Sequence, residues 1–581
     1  MKLYKEASLM MLPTSVKDGK LYSIFPQDGD GDFTFSRGSN LAATRINEQG
    51  LIEKGRENLL LQSNQFDTTW TKYALSTPTS GQTGYDGTSD AWLVTKPATA
   101  YAHLTQAITS ITGVHTYSVY IKAGTNTSAN IRALGSSDHR FGINLSNGTS
   151  LLETNLISYN IEDVGSGWYR CSISFNANAI SNVYIYPENP ISGTSAGNIY
   201  IQDAQLEQGL VATDYIESGA TTGKAGVLED LPRLDWSGEC PVLLLEPQRT
   251  NLVEYSELFS EWTKQTITDN EITLVSNSLT GFDDAMELED TSATSYARLT
   301  INTTTLASTN YTFSVFVKKT TGVQTSCPAF QLEVGHDYVV LNTTTGETKT
   351  DALDTGNTNY SNINVIDFSS EWWKLEITAT TTGTTTRVAI YPAFTGTFGS
   401  LGNGNNTGNV TVYGAQVEEG SYATSYIPTR GQSATRAKDT ASIDLISKGI
   451  TTGLTSATLL IEYEKPYSGD NLDVFRMQGT SDNGRAYIYE TGNGFAADWN
   501  ISGGGHTLGE NTKVVWRLDS LSSGTVFKNG VKANSGSGTA WSDIRYIYLN
   551  NRSTGGILKI KQIALFPTAL SDNECINLTT I

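Results

Sequence analysis

The chain has 581 residues and a formal net charge of −20, so it is too long for one core and predicts about three to five folded units. The acidic balance repels phosphate backbones and anionic lipid, which excludes nucleic acid as a partner. No run of about 20 apolar residues offers membrane insertion, and Cys171, Cys240, Cys327 and Cys575, scattered singly, read as free, buried thiols without disulfide or zinc spacing.

The N-terminal segment, residues 1–57, opens MKLYKEASLMMLPTSVKDGK and has no apolar stretch of signal-peptide length. Its run Leu9-Met10-Met11-Leu12 is costly to leave in water at roughly 25 cal/mol per Å². A neighbouring subunit or the first sandwich of the same chain is expected to cover it. Alternate acids Asp28, Asp30 and Asp32 invite a calcium reading, but an EF-hand loop needs Gly and Glu where Phe33 and Ser39 stand. A turn-rich loop leading into a strand at 33–35 is expected, and no metal site.

Residues 58–218 and 251–429 are one module written twice. NLLLQSNQFDTTW (58–70) answers NLVEYSELFSEW (251–262), YSVYIKA (117–123) answers FSVFVKK (313–319), and VYIYP (183–187) answers VAIYP (388–392). Both copies close alike, pairing Gln205 with Gln416, Glu207 with Glu418, Thr213 with Thr424 and Tyr215 with Tyr426. Period-2 alternation of aromatic and β-branched residues predicts strands, and Asn-Gly, Asp-Gly and Gly-Gly pairs predict tight turns between them. The fold class is therefore all-β: serial antiparallel, jelly-roll-like sandwiches, the two copies superposing with insertions of the second in loops such as 399–408. Trp70 and Trp262 are expected as core anchors. A connector (219–250) joins the copies, and a linker (430–437) leads to a C-terminal β domain (438–581). Ser571 with Glu574 three residues on predicts a capped terminal helix over 571–578.

No hydrolytic constellation is legible. The E-x-D-x-x-E strand motif of sandwich glycanases does not occur, and five histidines make no H-E-x-x-H or nucleophile–base grouping. No catalytic residue, cofactor or metal is assigned, and the chain is read as not an enzyme. Sugar binding needs aromatic faces against C–H surfaces with amides and carboxylates fixing hydroxyls. In the C-terminal domain Arg485, Tyr487 and Tyr489 alternate along one strand face, and Trp499, Asn500 and Trp541 add aromatic and amide groups. These six are the candidate carbohydrate-binding residues, the face being either core or outer surface.

The phrase GDFTFSRGSNLAATRINEQGLIE (31–53) and the closings QLEQGLVATDYI and QVEEGSYATSYIPTRGQSATRA resemble bacteriophage virion fibre and spike proteins, of head or tail, with carbohydrate-binding-module-like sandwiches. The tail GILKIKQIALFPTALSDNECINLTT (556–580) is similar to the last strand and helix of concanavalin A/laminin-G-like domains. The resemblance implies a structural subunit made in the host cytoplasm and exposed on the virion. It further implies a homotrimer, docked to capsid or tail proteins through residues 1–57, binding a host-surface glycan through the C-terminal sandwich. A capsid-decorating protein without ligand specificity and a polysaccharide depolymerase are the alternatives.

Overall fold

A computed structural model describes the chain except residues 1–2, 18–19, 39–40, 323, 334–336, 352–359, 401, 403–405, 452–453, 468–471, 481–484, 492–493, 498–500, 506–507, 539, 542, 551–555 and 581. Side chains between 485 and 505 are likewise outside the description. Nearly every element is a strand paired antiparallel. One short helix, Asp572–Thr579, carries the predicted box: Ser571 accepts from the Glu574 amide while the Glu574 side chain accepts from the Ser571 amide.

The two copies have the same strand order. In the second, one sheet runs Thr263–Gln265, Arg298–Thr304, Thr385–Thr395, Cys327–Leu332, Tyr338–Leu341, Thr348–Asp351. The facing sheet runs Ile272–Asn277, Phe282–Asp290, Gly408–Glu419, Asn310–Lys318, Trp372–Thr380, Tyr360–Ser369. The first copy repeats both orders, except that His103–Ala123 and Trp168–Tyr186 each pass unbroken from one sheet into the other. The breaks in the second copy, at 305–309 and 381–384, lie between strands, as expected for insertions. Trp70 and Trp262 are 3% and 2% exposed and pack on Phe66 and Phe259 at 5.2 and 5.1 Å. Each indole donates to the same backbone position, the carbonyl of Gln62 or of Tyr255.

The matched closing residues form a buried polar clasp in each copy. Asn58 donates to the carbonyls of Ala204 and Ile216 and accepts from the amides of Leu60 and Leu206. Asn251 repeats this with Ala415, Ile427, Val253 and Val417. Gln205 and Gln416 each donate to a buried glutamate, Glu207 or Glu418, which accepts from the amide of Thr213 or Thr424. Buried polar groups persist only when satisfied, so these side chains hold the two ends of each module together.

The C-terminal sandwich is not built from residues 438–581 alone. Leu9–Lys17 and Val242–Leu245 pair with successive stretches of Leu558–Phe566, and Thr34–Ser36 pairs with Thr440–Asp444. Leu9, Met11, Phe33, Phe35, Leu243 and Leu245 share one core with Trp516, Ile547 and Leu565. The expectation that another chain or the first sandwich covers the Leu9–Leu12 run is therefore corrected: the C-terminal sandwich of the same chain buries Leu9 and Met11. The acidic loop is spent locally, Asp32 accepting from the Ser23 amide at 2.7 Å and Asp28 from the Asp30 amide at 3.1 Å. Cys171, Cys327 and Cys575 are buried; Cys240, contrary to expectation, is exposed in the turn before Val242.

Linker and connector meet at a buried charge cluster. Arg233 bonds Glu246 at 2.7 Å and also Asp439; Arg37 bonds Asp439 at 3.0 Å, and Arg436 bonds Glu246 at 2.9 Å. Burial would push Glu246 up, but Arg436 and Arg233 hold its carboxyl well below the usual range. The two sandwiches meet at Gly113, whose φ of +84° and close approach to the Arg430 carbonyl exclude a side chain: a Cβ there would lie 1.7 Å from that oxygen. The next amide, of Val114, donates to the same carbonyl at 2.9 Å.

Beside this joint His115 is 1% exposed, and burial pulls it from 6.5 down to about 4. A lowered histidine contributes stability that is complete above its unfolded value and lost as pH falls through 6.5 toward 4. The difference of roughly 2.5 units corresponds to about 3 kcal/mol. Between pH 7 and pH 4, urea unfolding of the wild type should lose about that much more stability than His115→Gln. Parallel pH profiles would show that the imidazole is hydrated in the fold.

Candidate functional site

The sequence-based candidates divide. Trp541 is 5% exposed and belongs to the C-terminal core, as does Trp516 at 0%; an aromatic near the sheet was packed inward, and Trp541 is no stacking platform. Trp499 and Asn500 lie outside the described residues. Arg485, Tyr487 and Tyr489 stand on the strand Arg485–Thr491, in register with Gln478, Arg476 and Asp473. On that neighbouring strand Phe475 and Met477 are core residues, whereas Arg476 and Gln478 are half-buried. The next strand, Tyr546–Leu549, sets Tyr548 opposite Arg476 and Tyr546 opposite Gln478, with the two tyrosine rings 5.7 Å apart. Arg545, bonded to Asp444 at 2.9 Å, lies over the Tyr546 ring at 4.9 Å. This outer sheet face carries aromatic and hydrogen-bonding groups in alternation.

A better enclosed site lies where four pieces of chain converge. A cavity of about 470 Å³ is walled by the hairpin Thr44–Ile46/Ile52–Lys54, by 235–246 of the connector, by the second sandwich, and by Tyr467 and Lys559 of the C-terminal sandwich. Its size falls in the range of small-ligand pockets. Trp236, Phe368 and Tyr467 contribute half-buried rings. Tyr467 is fixed by stacking on Tyr422 at 4.6 Å, itself under Arg249. Around the rings stand Arg45, Asp235, Asp367, Lys374 and Lys559.

These polar groups are held. Lys374 donates to the Thr424 carbonyl at 3.3 Å and lies 2.9 Å from the buried Glu376. Burial opposes its charge, but Glu376 outweighs that and the ammonium is held above its ordinary value. Asp367 pairs with Lys319 at 2.6 Å, and Asp235 accepts from the Ser237 amide at 3.0 Å. The wall residue Glu246 belongs to the buried arginine cluster, so the cavity floor is set by the ion network that fixes the units. Such a site can stack a flat apolar face and hydrogen-bond its rim. A second cavity, of about 400 Å³, lies at the preceding joint, where Arg170 donates to the Thr213 carbonyl as Lys374 does to that of Thr424. The connector aromatic Trp236 was not recognisable as a site residue, since no periodic strand pattern surrounds it.

No protein-family model and no curated protein matches the chain. Among solved structures, it is similar over 22% of its length to the CBM40 domain of the Ruminococcus gnavus IT-sialidase bound to α2,3-sialyllactose, at 16% identity, 84% of that chain and a TM-score of 0.18. It is similar over 24% to the NanB sialidase of Streptococcus pneumoniae, at 19% identity, 26% of that chain and a TM-score of 0.20. Over 25% it is similar to domain 4 of an extracellular arabinanase from Geobacillus stearothermophilus in complex with arabinotriose, at 14% identity, 73% of that chain and a TM-score of 0.19.

Proposed function

We propose that the chain is a non-enzymatic, glycan-binding structural subunit of a bacteriophage fibre or spike, acting as a homotrimer on the virion and attaching it to the host surface. The observation that carries the binding is the junction cavity, where Trp236, Phe368 and Tyr467 offer ring faces beside the fixed polar groups Asp367 and Lys374. The sequence resemblance to virion fibres supports the setting. The tied units support a rigid arm, and weak sites presented three at a time gain from high effective concentration. The outer face with Tyr546, Tyr548, Arg476 and Gln478 is the second surface a polysaccharide would meet.

Point variants test this better than deletion of residues 438–581, because that deletion strips the core from Leu9, Phe35 and Leu243. Trp236→Ala should weaken binding of the full chain to bacterial surface polysaccharide at least tenfold, about 1.4 kcal/mol. Tyr548→Ala reports on the outer face. Unchanged binding in both variants refutes the reading, and steady release of reducing sugar ends by the wild type would make the depolymerase correct.

A further inference from the structure

The repeat is longer than its sequence motifs. Each sandwich is preceded by a hairpin, Thr44–Ile46/Ile52–Lys54 or Leu234–Asp235/Val242–Leu245. Each is closed by a strand pair, Arg56–Asn58 with Gly223–Ala225 or Arg249–Asn251 with Ala434–Arg436. The hairpins reach forward. The second pairs with Leu558–Phe566 of the C-terminal sandwich. The first seats on the second sandwich, where Ile52 packs with Leu279, Phe316 and Trp372. There the Lys54 ammonium lies 2.7 Å from Glu257 and 3.3 Å from Asp284, over the Tyr413 ring at 5.1 Å.

The same place exists on the first sandwich. Strand register sets Trp92 opposite Ile201 as it sets Met286 opposite Val412, so Asp90 stands where Asp284 does. Asn64 takes the place of Glu257, each directly after the serine that bonds the module's closing tyrosine, Tyr215 or Tyr426. Asp203 takes the place of Gly414, both with positive φ. The carboxylate absent at 64 is thus returned at 203, and Asp86 adds a third. Asp203 accepts from Tyr85 at 3.0 Å, and Asp90 from Gln202 at 2.8 Å and Asn64 at 3.3 Å. Asp86 and Asp90 are exposed, while Asp203 is buried. Among the described residues no lysine or arginine forms an ion pair with any of the three. Burial, with Asp90 and Asp86 adding to it, pushes Asp203 up to about 7.

We infer that the Asp86/Asp90/Asp203 niche is a docking site for a lysine on a β-hairpin of a partner protein, seated as Lys54 is seated on the second sandwich. The two hairpins that precede the sandwiches are already engaged within the chain, and the net charge of −20 favours the approach of a separate, basic chain. This inference stands apart from the glycan reading.

The test uses the full-length protein and a labelled, cyclised peptide of the hairpin sequence 44–54 as the surrogate, read by fluorescence anisotropy. Saturable binding should weaken at least tenfold in D90N/D203N, and equally when norleucine replaces the peptide's lysine. The variant removes a buried, unfavourably placed charge, so its urea midpoint should be kept or raised, confirming that the loss is local. Binding indifferent to either change, or none at 1 mM peptide, overturns the proposal. So does light scattering in which the protein alone self-associates through a D90N/D203N-sensitive contact, which would make the occupant a second copy.

Discussion

Asp439→Ala is expected to cost about 3–5 kcal/mol, the penalty for removing one partner of a buried ion network. The carboxylate neutralises two guanidinium groups, Arg37 and Arg233, and also accepts from the Glu246 amide at 2.9 Å. The four charged side chains around it are 0% to 2% exposed, so water cannot take its place without opening the joint. Arg37→Met should cost less, because Asp439 keeps Arg233 and one of three clustered cations is removed. Urea unfolding at pH 7 gives the free energies, and limited proteolysis of residues 20–40 reports whether the N-terminal strands detach. A loss below about 1 kcal/mol for Asp439→Ala would place the network in surface-like dielectric, and the rigid-arm reading would fall with it.

The polar clasps of the two sandwiches, unlike this ion cluster, were legible in the sequence. The repeat was legible because Asn58, Gln205, Glu207, Thr213 and Tyr215 do the same buried work as Asn251, Gln416, Glu418, Thr424 and Tyr426, and buried polar networks tolerate little substitution. The hairpins were missed because Lys54 meets carboxylates whereas Leu245 meets a strand, so the two segments share geometry without sharing residues. The entry of Leu9–Lys17 into the C-terminal sandwich joins residues more than 500 positions apart. Strand propensity reports a half-buried pleat, and says nothing about the partner. For the same reason aromatic density pointed to the C-terminal domain but could not tell Trp541, which faces the core, from Tyr546 and Tyr548, which are half-buried on the outer face.

The clasp gives the other large effect. Asn58→Ala leaves the carbonyls of Ala204 and Ile216 without a donor and the amides of Leu60 and Leu206 without that acceptor, all at a side chain that is 0% exposed. Each buried group left unmet costs about 1–3 kcal/mol before relaxation, so a net loss of about 3–4 kcal/mol is expected once the chain shifts to meet some of them. Asn251→Ala should match it within about 1 kcal/mol, because its four bonds, at 2.9–3.2 Å, reproduce those of Asn58 at 2.9–3.1 Å. Aspartate at either position keeps the two acceptor bonds but loses both donor bonds and buries a charge, so it should be worse than alanine. Hydrogen exchange localises each effect: Asn58→Ala should release the amides of Leu206 and Leu60 while those of Val417 and Val253 stay protected, and Asn251→Ala should do the reverse. Equal release of both sets by either variant would mean that the two sandwiches open as one cooperative unit, with the joint at Gly113 and Arg430 stronger than the clasps themselves.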